Sequence, residues 1–170
     1  VLQGLHGQDR YPEGAGVGVS NPYQPLKAEI LKLIDETPNI RTFVLRPERE
    51  IPFLAGQFVE LTVPGHGEAP FTPSSSHFKR DIIEMTIMKV GRATGALFDL
   101  KPGDYVGLRG PYGMRYPLEK FEGRDIYIVG GGVGLAPLRA LLFALFENMA
   151  RYGRVLLRYG AKTPADIVYR

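Results

Sequence analysis

The 170-residue chain contains no cysteine and no tryptophan. Without thiolates it holds no disulfide, no Cys-ligated zinc and no iron–sulfur cluster on its own ligands. Long hydrophobic runs are missing as well. The longest apolar stretch, residues 135–146, is interrupted by Arg139 and is too short to cross a bilayer. Residues 1–20 carry Gln3, His6, Gln8, Asp9 and Arg10 and have no continuous apolar core, which does not fit a secretory signal. The expectation is therefore a cytoplasmic protein with no membrane span. An excess of one charge is also small: 21 basic against 18 acidic side chains give a net +3. That suits an anionic dinucleotide. It lacks the dense basic stripe of a nucleic-acid binder, and the nine Tyr and nine Phe are scattered rather than gathered in a basic groove.

The composition, 44% hydrophobic and 23% charged, is that of a globular chain. Residues 1–22 are glycine-rich and end in Asn21-Pro22, which reads as an irregular N-terminal arm. From residue 26 to 110 the punctuation is all-β. Strands are expected at residues 26–34, 40–45, 57–63, 82–90 and 105–109, separated by turn signals such as Pro64-Gly65-His66-Gly67 and Pro102-Gly103-Asp104. One short helix is expected near residues 94–100. With the strand edge at residues 69–76 the expected strands number six, which predicts a small closed barrel or a sandwich.

After Gly123 the period changes. Residues 125–129 form a short apolar run, expected to be a strand buried on both faces. Residues 135–152 place Leu138, Leu141, Leu142, Leu145, Phe146 and Met149 at helical spacing, with Gly153 as the stop. Residues 155–159 read as a second buried strand, and a third is expected to begin at Ile167. This is a βαβ unit with a right-handed crossover. Between its first strand and its helix lies Gly130-Gly131-Gly132-Val133-Gly134-Leu135-Ala136-Pro137. Glycine lets backbone approach a phosphate, and the first amides of the helix face the anion. Pro137, near the first helical turn, removes a donor that had no intrahelical partner.

Two further groupings lie in the β half. Ala69-Pro70-Phe71-Thr72-Pro73-Ser74-Ser75 sets an aromatic ring beside several hydroxyls, enough to cover a flat ligand and reach its polar edge. Val90-Gly91-Arg92-Ala93-Thr94 precedes the short helix, a second place for a phosphate. Gly110-Pro111-Tyr112-Gly113 turns the chain out of the β half.

In this order the motifs resemble those of the ferredoxin–NADP reductase-type flavoproteins. Within that family the chain is most similar to the gamma subunits of sulfhydrogenases and NAD(P)-linked hydrogenases, and to the related subunit of anaerobic sulfite reductase. The resemblance covers residues 23–169. It implies a six-stranded antiparallel Greek-key β-barrel at residues 23–116 that binds FAD, followed at residues 123–170 by an incomplete α/β NAD(P)-binding domain. By resemblance Phe71 lies against the flavin and Thr72 bonds near its reactive N5 nitrogen. Pro70, Ser74 and Ser75 complete that side, and Val90, Gly91, Arg92 and Thr94 hold the diphosphate. Gly131, Gly132, Gly134, Leu135, Ala136 and Pro137, with Lys162, take the nicotinamide nucleotide. Ala69 stands where the motif carries an arginine, and Pro73 replaces an aliphatic residue. The implied function is electron transfer from NAD(P)H through FAD to iron–sulfur carriers on hydrogenase or reductase partner subunits. The alternative is a truncated docking subunit without catalysis. Two buried parallel strands leave an unpaired edge, so the chain is expected either to be a fragment or to be completed by another polypeptide.

Overall fold

The computed structural model describes residue 21 and residues 23–170; the irregular arm expected at residues 1–22 falls, apart from Asn21, outside the described residues. Strand β1 (Leu26–Thr37) turns at Pro38-Asn39 into β2 (Ile40–Pro47), its antiparallel partner. Strand β3 (Phe58–Val63) forms a hairpin with β4 (Gly67–Phe71). Strand β5 (Ile83–Met88) pairs with β2, and β6 (Tyr105–Tyr112) inserts between β3 and β1. The resulting order is β4-β3-β6-β1-β2-β5. Its out-of-sequence neighbours are the Greek-key connections. Alternation drives the pairing: Val59, Leu61 and Val63 of β3 and Ile83, Met85 and Ile87 of β5 are buried together with Ile30, Phe43, Leu45, Phe53 and Leu108. The short helix α1 (Arg92–Phe98) packs beside β3 and β4 through Leu97.

The barrel is not closed. β4 and β5 are the two edges of the sheet, and no strand ladder joins them. Pro70 lies on edge strand β4, where its missing amide hydrogen is tolerated. The seam is stitched instead by residues 74 and 75. The Ser74 amide and hydroxyl both donate to the Glu84 carbonyl, at 2.7 and 3.1 Å, and the Glu84 amide donates to Ser75 Oγ at 3.1 Å. Serine hydroxyls thus take over part of the role of a missing ladder.

The second half begins with β7 (Ile126–Gly131) and a 3-10 turn (Gly132–Gly134). Helix α2 (Leu135–Glu147) follows, and β8 (Val155–Gly160) runs parallel to β7. Several expectations need correction here. The helix ends at Glu147 rather than at residue 152, because Asn148 leaves helical geometry (φ −132°, ψ 41°) and residues 149–151 tighten into a 3-10 turn. β7 is not buried on both faces: Tyr127 is 67% exposed and Val129 77% exposed, while Ile128 points to α2. No third strand starts at Ile167; after a 3-10 turn (Pro164–Asp166) Val168 and Tyr169 fold back onto the β half instead. Gly153 is a close-approach glycine rather than a helix stop. Its amide donates to the Arg124 carbonyl, and a Cβ there would lie 2.4 Å from Asp125 Oδ1.

Helix α2 joins the two halves with neighbouring faces. Small residues Ala140 and Ala144 meet Ala55 of the β half, and Leu141 and Leu145 meet Ile128 of β7. Leu135 at its start shares a third cluster with Ile40 and Val168, bordered by Met88 and Val133. The Gly-rich turn therefore rests on the end of β5, the strand that runs on toward the Gly91 turn.

Candidate functional site

The exit of β4 presents the first part of the site. Phe71 is half-buried and packs on the β core, opposite Val59. Thr72 is half-buried, and its hydroxyl makes no hydrogen bond among the described residues, so it remains available to a ligand. Ser74 and Ser75 differ. They are 0% and 5% exposed and their hydroxyls are engaged with Glu84 and, for Ser74, with Thr86 Oγ1 at 3.1 Å. Their observed task is to hold the seam and so fix the backbone that carries Phe71 and Thr72.

The second part is the turn before α1. Val90 is 74% exposed, and Gly91 adopts extended geometry with open space where a Cβ would sit. Arg92 is exposed at the first helical position. The Thr94 hydroxyl accepts from the amides of Val90 and Gly91, both at 2.9 Å, and donates to the Gly91 carbonyl. It shapes the turn from within and is itself 7% exposed. Beside it Lys89 and Arg41 lie over the Phe98 ring; Arg41 is ion-paired with Asp35 at 2.6 Å, so of the two Lys89 is the source of positive charge here.

The third part is the Gly-rich turn. Gly132 takes a positive φ of 52°, which an L side chain adopts at a cost. Its carbonyl accepts a hydrogen bond from Tyr159 Oη at 3.2 Å. A Cβ on Gly132 or Gly134 would meet nothing within 4 Å, whereas one on Gly130 would press to 2.9 Å from Leu138 Cδ1. Gly130 is thus a packing glycine, and Gly132 and Gly134 line free space. Leu135 and Ala136 are buried, and Pro137 is half-buried in the first turn of α2. Lys162 is exposed in the loop after β8, on the same C-terminal side of the two parallel strands. That side is where open α/β sheets take their ligands.

Sequence reasoning missed the polar groups between the halves. Arg139 of α2 donates to the Ser74 carbonyl at 3.2 Å and is ion-paired with Glu84. Its guanidinium lies over the rings of Tyr169 and Phe143. Tyr169 Oη is 2.6 Å from Thr86 Oγ1, and burial pushes this phenol above its ordinary pKa, so it stays a proton donor. The signal for Arg139 was present as the lone charge in an apolar helical run. Tyr169 carried none. His77, half-buried and stacked on Phe78, is held below its ordinary pKa chiefly by burial, with Arg80 adding to the effect, and its Nδ1 has no partner among the described residues.

A six-stranded Greek-key sheet followed by a parallel strand–glycine turn–helix–strand unit defines a two-part architecture with a nucleotide-type turn facing the β half. Residues 27–116 match the family described as the oxidoreductase FAD-binding domain, and the chain belongs to that family. It is 36% identical over 154 residues to the sulfhydrogenase 1 gamma subunit of Pyrococcus furiosus, a match spanning 88% of this chain and 53% of the relative. It is 43% identical over 118 residues to a probable dihydroorotate dehydrogenase B electron transfer subunit of Methanocella arvoryzae, covering 69% of this chain and 42% of that one. Among solved structures, the Amycolatopsis cytochrome P450 reductase GcoB superposes with a TM-score of 0.74 at 33% identity, over 86% of this chain and 46% of the other. The chain spans about half the length of the curated relatives it matches.

Proposed function

We propose that this chain binds FAD at the exit of β4 and the turn before α1, and that it carries electrons between NAD(P)H and iron–sulfur centres of partner redox subunits. The observation that supports this best is a spatial one. The Gly-rich turn packs on the end of β5, which runs on to Gly91, and Arg139 of α2 reaches the Ser74 carbonyl two residues from the free Thr72 hydroxyl, while Gly91, Gly132 and Gly134 each have open space where a Cβ would sit. Such space suits phosphate oxygens approached by backbone amides.

In this reading Phe71 lies against the flavin ring, and Thr72 offers its hydroxyl to the ring's polar edge. Pro70 and the seam serines keep that segment in place. Val90, Gly91, Arg92 and Thr94 receive the diphosphate, with Arg92 supplying the charge that Ala69 does not. Gly131, Gly132, Gly134, Leu135, Ala136 and Pro137 seat the nicotinamide nucleotide, and Lys162 meets its outer end. When bound, the flavin supplies the step from a two-electron donor to one-electron carriers. The protein's part is to set distance and to keep water away, and no side chain has to act as general acid or base. The partners in this reading are iron–sulfur subunits of a hydrogenase or reductase assembly in the cytoplasm, as the similarity to a sulfhydrogenase gamma subunit suggests. Among the described residues no helix is long and apolar enough to cross a membrane.

The test is anaerobic titration of the flavin-loaded chain with NADH and with NADPH, followed by visible absorbance. Bleaching by either nucleotide is the expected result. Flavin that binds yet stays oxidised with both nucleotides would instead favour the docking-subunit reading, which Ala69 and Pro73 motivate.

A further inference from the structure

Two ties cross between the halves, and both end at Ser74. The first is Arg139, two residues past Pro137. Its Nη1 donates to the Ser74 carbonyl at 3.2 Å and pairs with the Glu84 carboxylate, while its guanidinium carbon sits 4.6 Å from the Tyr169 ring centroid and 5.1 Å from that of Phe143. A cation held by an ion pair, a carbonyl and two rings has little freedom to move.

The second tie starts inside the Gly-rich turn. Tyr159 Oη donates to the Gly132 carbonyl at 3.2 Å and accepts from the Val168 amide at 3.3 Å. The next residue, Tyr169, has a φ of 59°, a conformation unfavourable for a bulky side chain. Three groups keep it there. Its amide donates to Glu36 Oε2 at 2.7 Å, its hydroxyl donates to Thr86 Oγ1 at 2.6 Å, and its ring lies under Arg139. The hydrogens can be followed around a loop. Glu36 only accepts, so Thr42 donates to its other oxygen at 2.7 Å. Thr86 then donates to Thr42, also at 2.7 Å, and its oxygen receives the Tyr169 proton. Ser74 Oγ lies 3.1 Å from the same Thr86 oxygen. The single Ser74 hydroxyl hydrogen, with the Glu84 carbonyl and the Thr86 oxygen both at 3.1 Å, is shared between the two acceptors, and this closes the path from Gly132 to Ser74.

We propose that Arg139 and Tyr169 are positioning residues that clamp the Gly-rich turn in one register against the segment carrying Phe71 and Thr72. This rests on the two-site reading above and adds which side chains set the spacing. Small interfaces between domains move by default. Transfer between two bound ligands tolerates displacement poorly, about 1 Å costing on the order of 10²-fold in rate. Fixing that spacing is a purpose which general stability does not explain, and the strained backbone at Tyr169 is held at the junction itself.

The absence of cysteine makes the test clean. His66→Cys on the β3–β4 turn and Arg158→Cys on β8, both exposed and outside the two ties, accept spin labels on the flavin-loaded full chain. The parent pair should give one narrow distance distribution. Tyr169→Phe and Arg139→Ala should broaden it by about twofold without loss of flavin per chain, and Arg139→Lys, which keeps the charge for Glu84, should fall between. Unchanged widths in folded, flavin-loaded Tyr169→Phe and Arg139→Ala chains would overturn the clamp alone. Loss of flavin in those variants would also overturn it, by showing a part in building the flavin site itself. A parent chain that takes up no flavin would instead end the two-site reading on which the clamp's purpose rests.

Discussion

Two glycines of the α/β half separate structure from ligand binding. At Gly153 a Cβ would sit 2.4 Å from Asp125 Oδ1 and 3.0 Å from the Arg124 backbone. At Gly134, whose φ is −63°, a Cβ would meet nothing. Gly153→Ala should therefore lower stability by about 1–3 kcal/mol, read as a shifted denaturant midpoint. Gly134→Ala should melt like the parent yet weaken nicotinamide-nucleotide binding, because its methyl enters the open space that the proposed function gives to a phosphate. Equal effects of the two changes on either readout would contradict this division. Tyr169 gives a second residue-scale test. Its phenol is pushed up from an ordinary value of 10.0 first by burial, with Glu36 adding and Arg139, Ser74 and Thr86 opposing. A raised pKa in the fold means that its contribution is complete below pH 10 and is lost as the pH climbs through the higher folded value. Parent and Tyr169→Phe stabilities should differ by a constant amount up to about pH 10 and converge above it, as measured by denaturation across that range.

Elements show why some of the fold was legible from sequence and some was not. Strands β1, β2, β3, β5 and β6 announced themselves by alternating apolar residues whose buried members form one core. β4 did not, because Glu68, Ala69 and Pro70 carry no alternation; hairpin pairing to β3 imposes the strand. The open seam was equally invisible, since nothing in a Ser-rich loop says that its hydroxyls will bridge two sheet edges. Ser75→Ala should cost about 1 kcal/mol and should speed hydrogen exchange at the Glu84 amide selectively; unaltered protection there would show that the seam does not depend on this hydroxyl. β7 was misread for a related reason. An apolar run suggests burial on both sides, but Tyr127 and Val129 face outward. Such a face promotes association, so Val129→Lys should reduce self-association of the 170-residue chain in sedimentation experiments.

At the scale of the whole molecule, two halves meet through α2, the Gly-rich turn and the folded-back residues 168 and 169. The turns were readable because glycine spacing and helix starts are local chemistry. Arg139, Glu84, Thr86 and Tyr169 were not, because the contacts that join the halves through them span 55 to 133 residues of chain and only the fold brings them together. The central claim is that residues 70–94 cradle a flavin. It is tested most directly by purifying the full chain, releasing any bound cofactor by denaturation and weighing it by mass spectrometry. The account predicts FAD at about one per chain, bound on purification or after reconstitution. A colourless chain that releases no flavin and takes none up on incubation with FAD would contradict it.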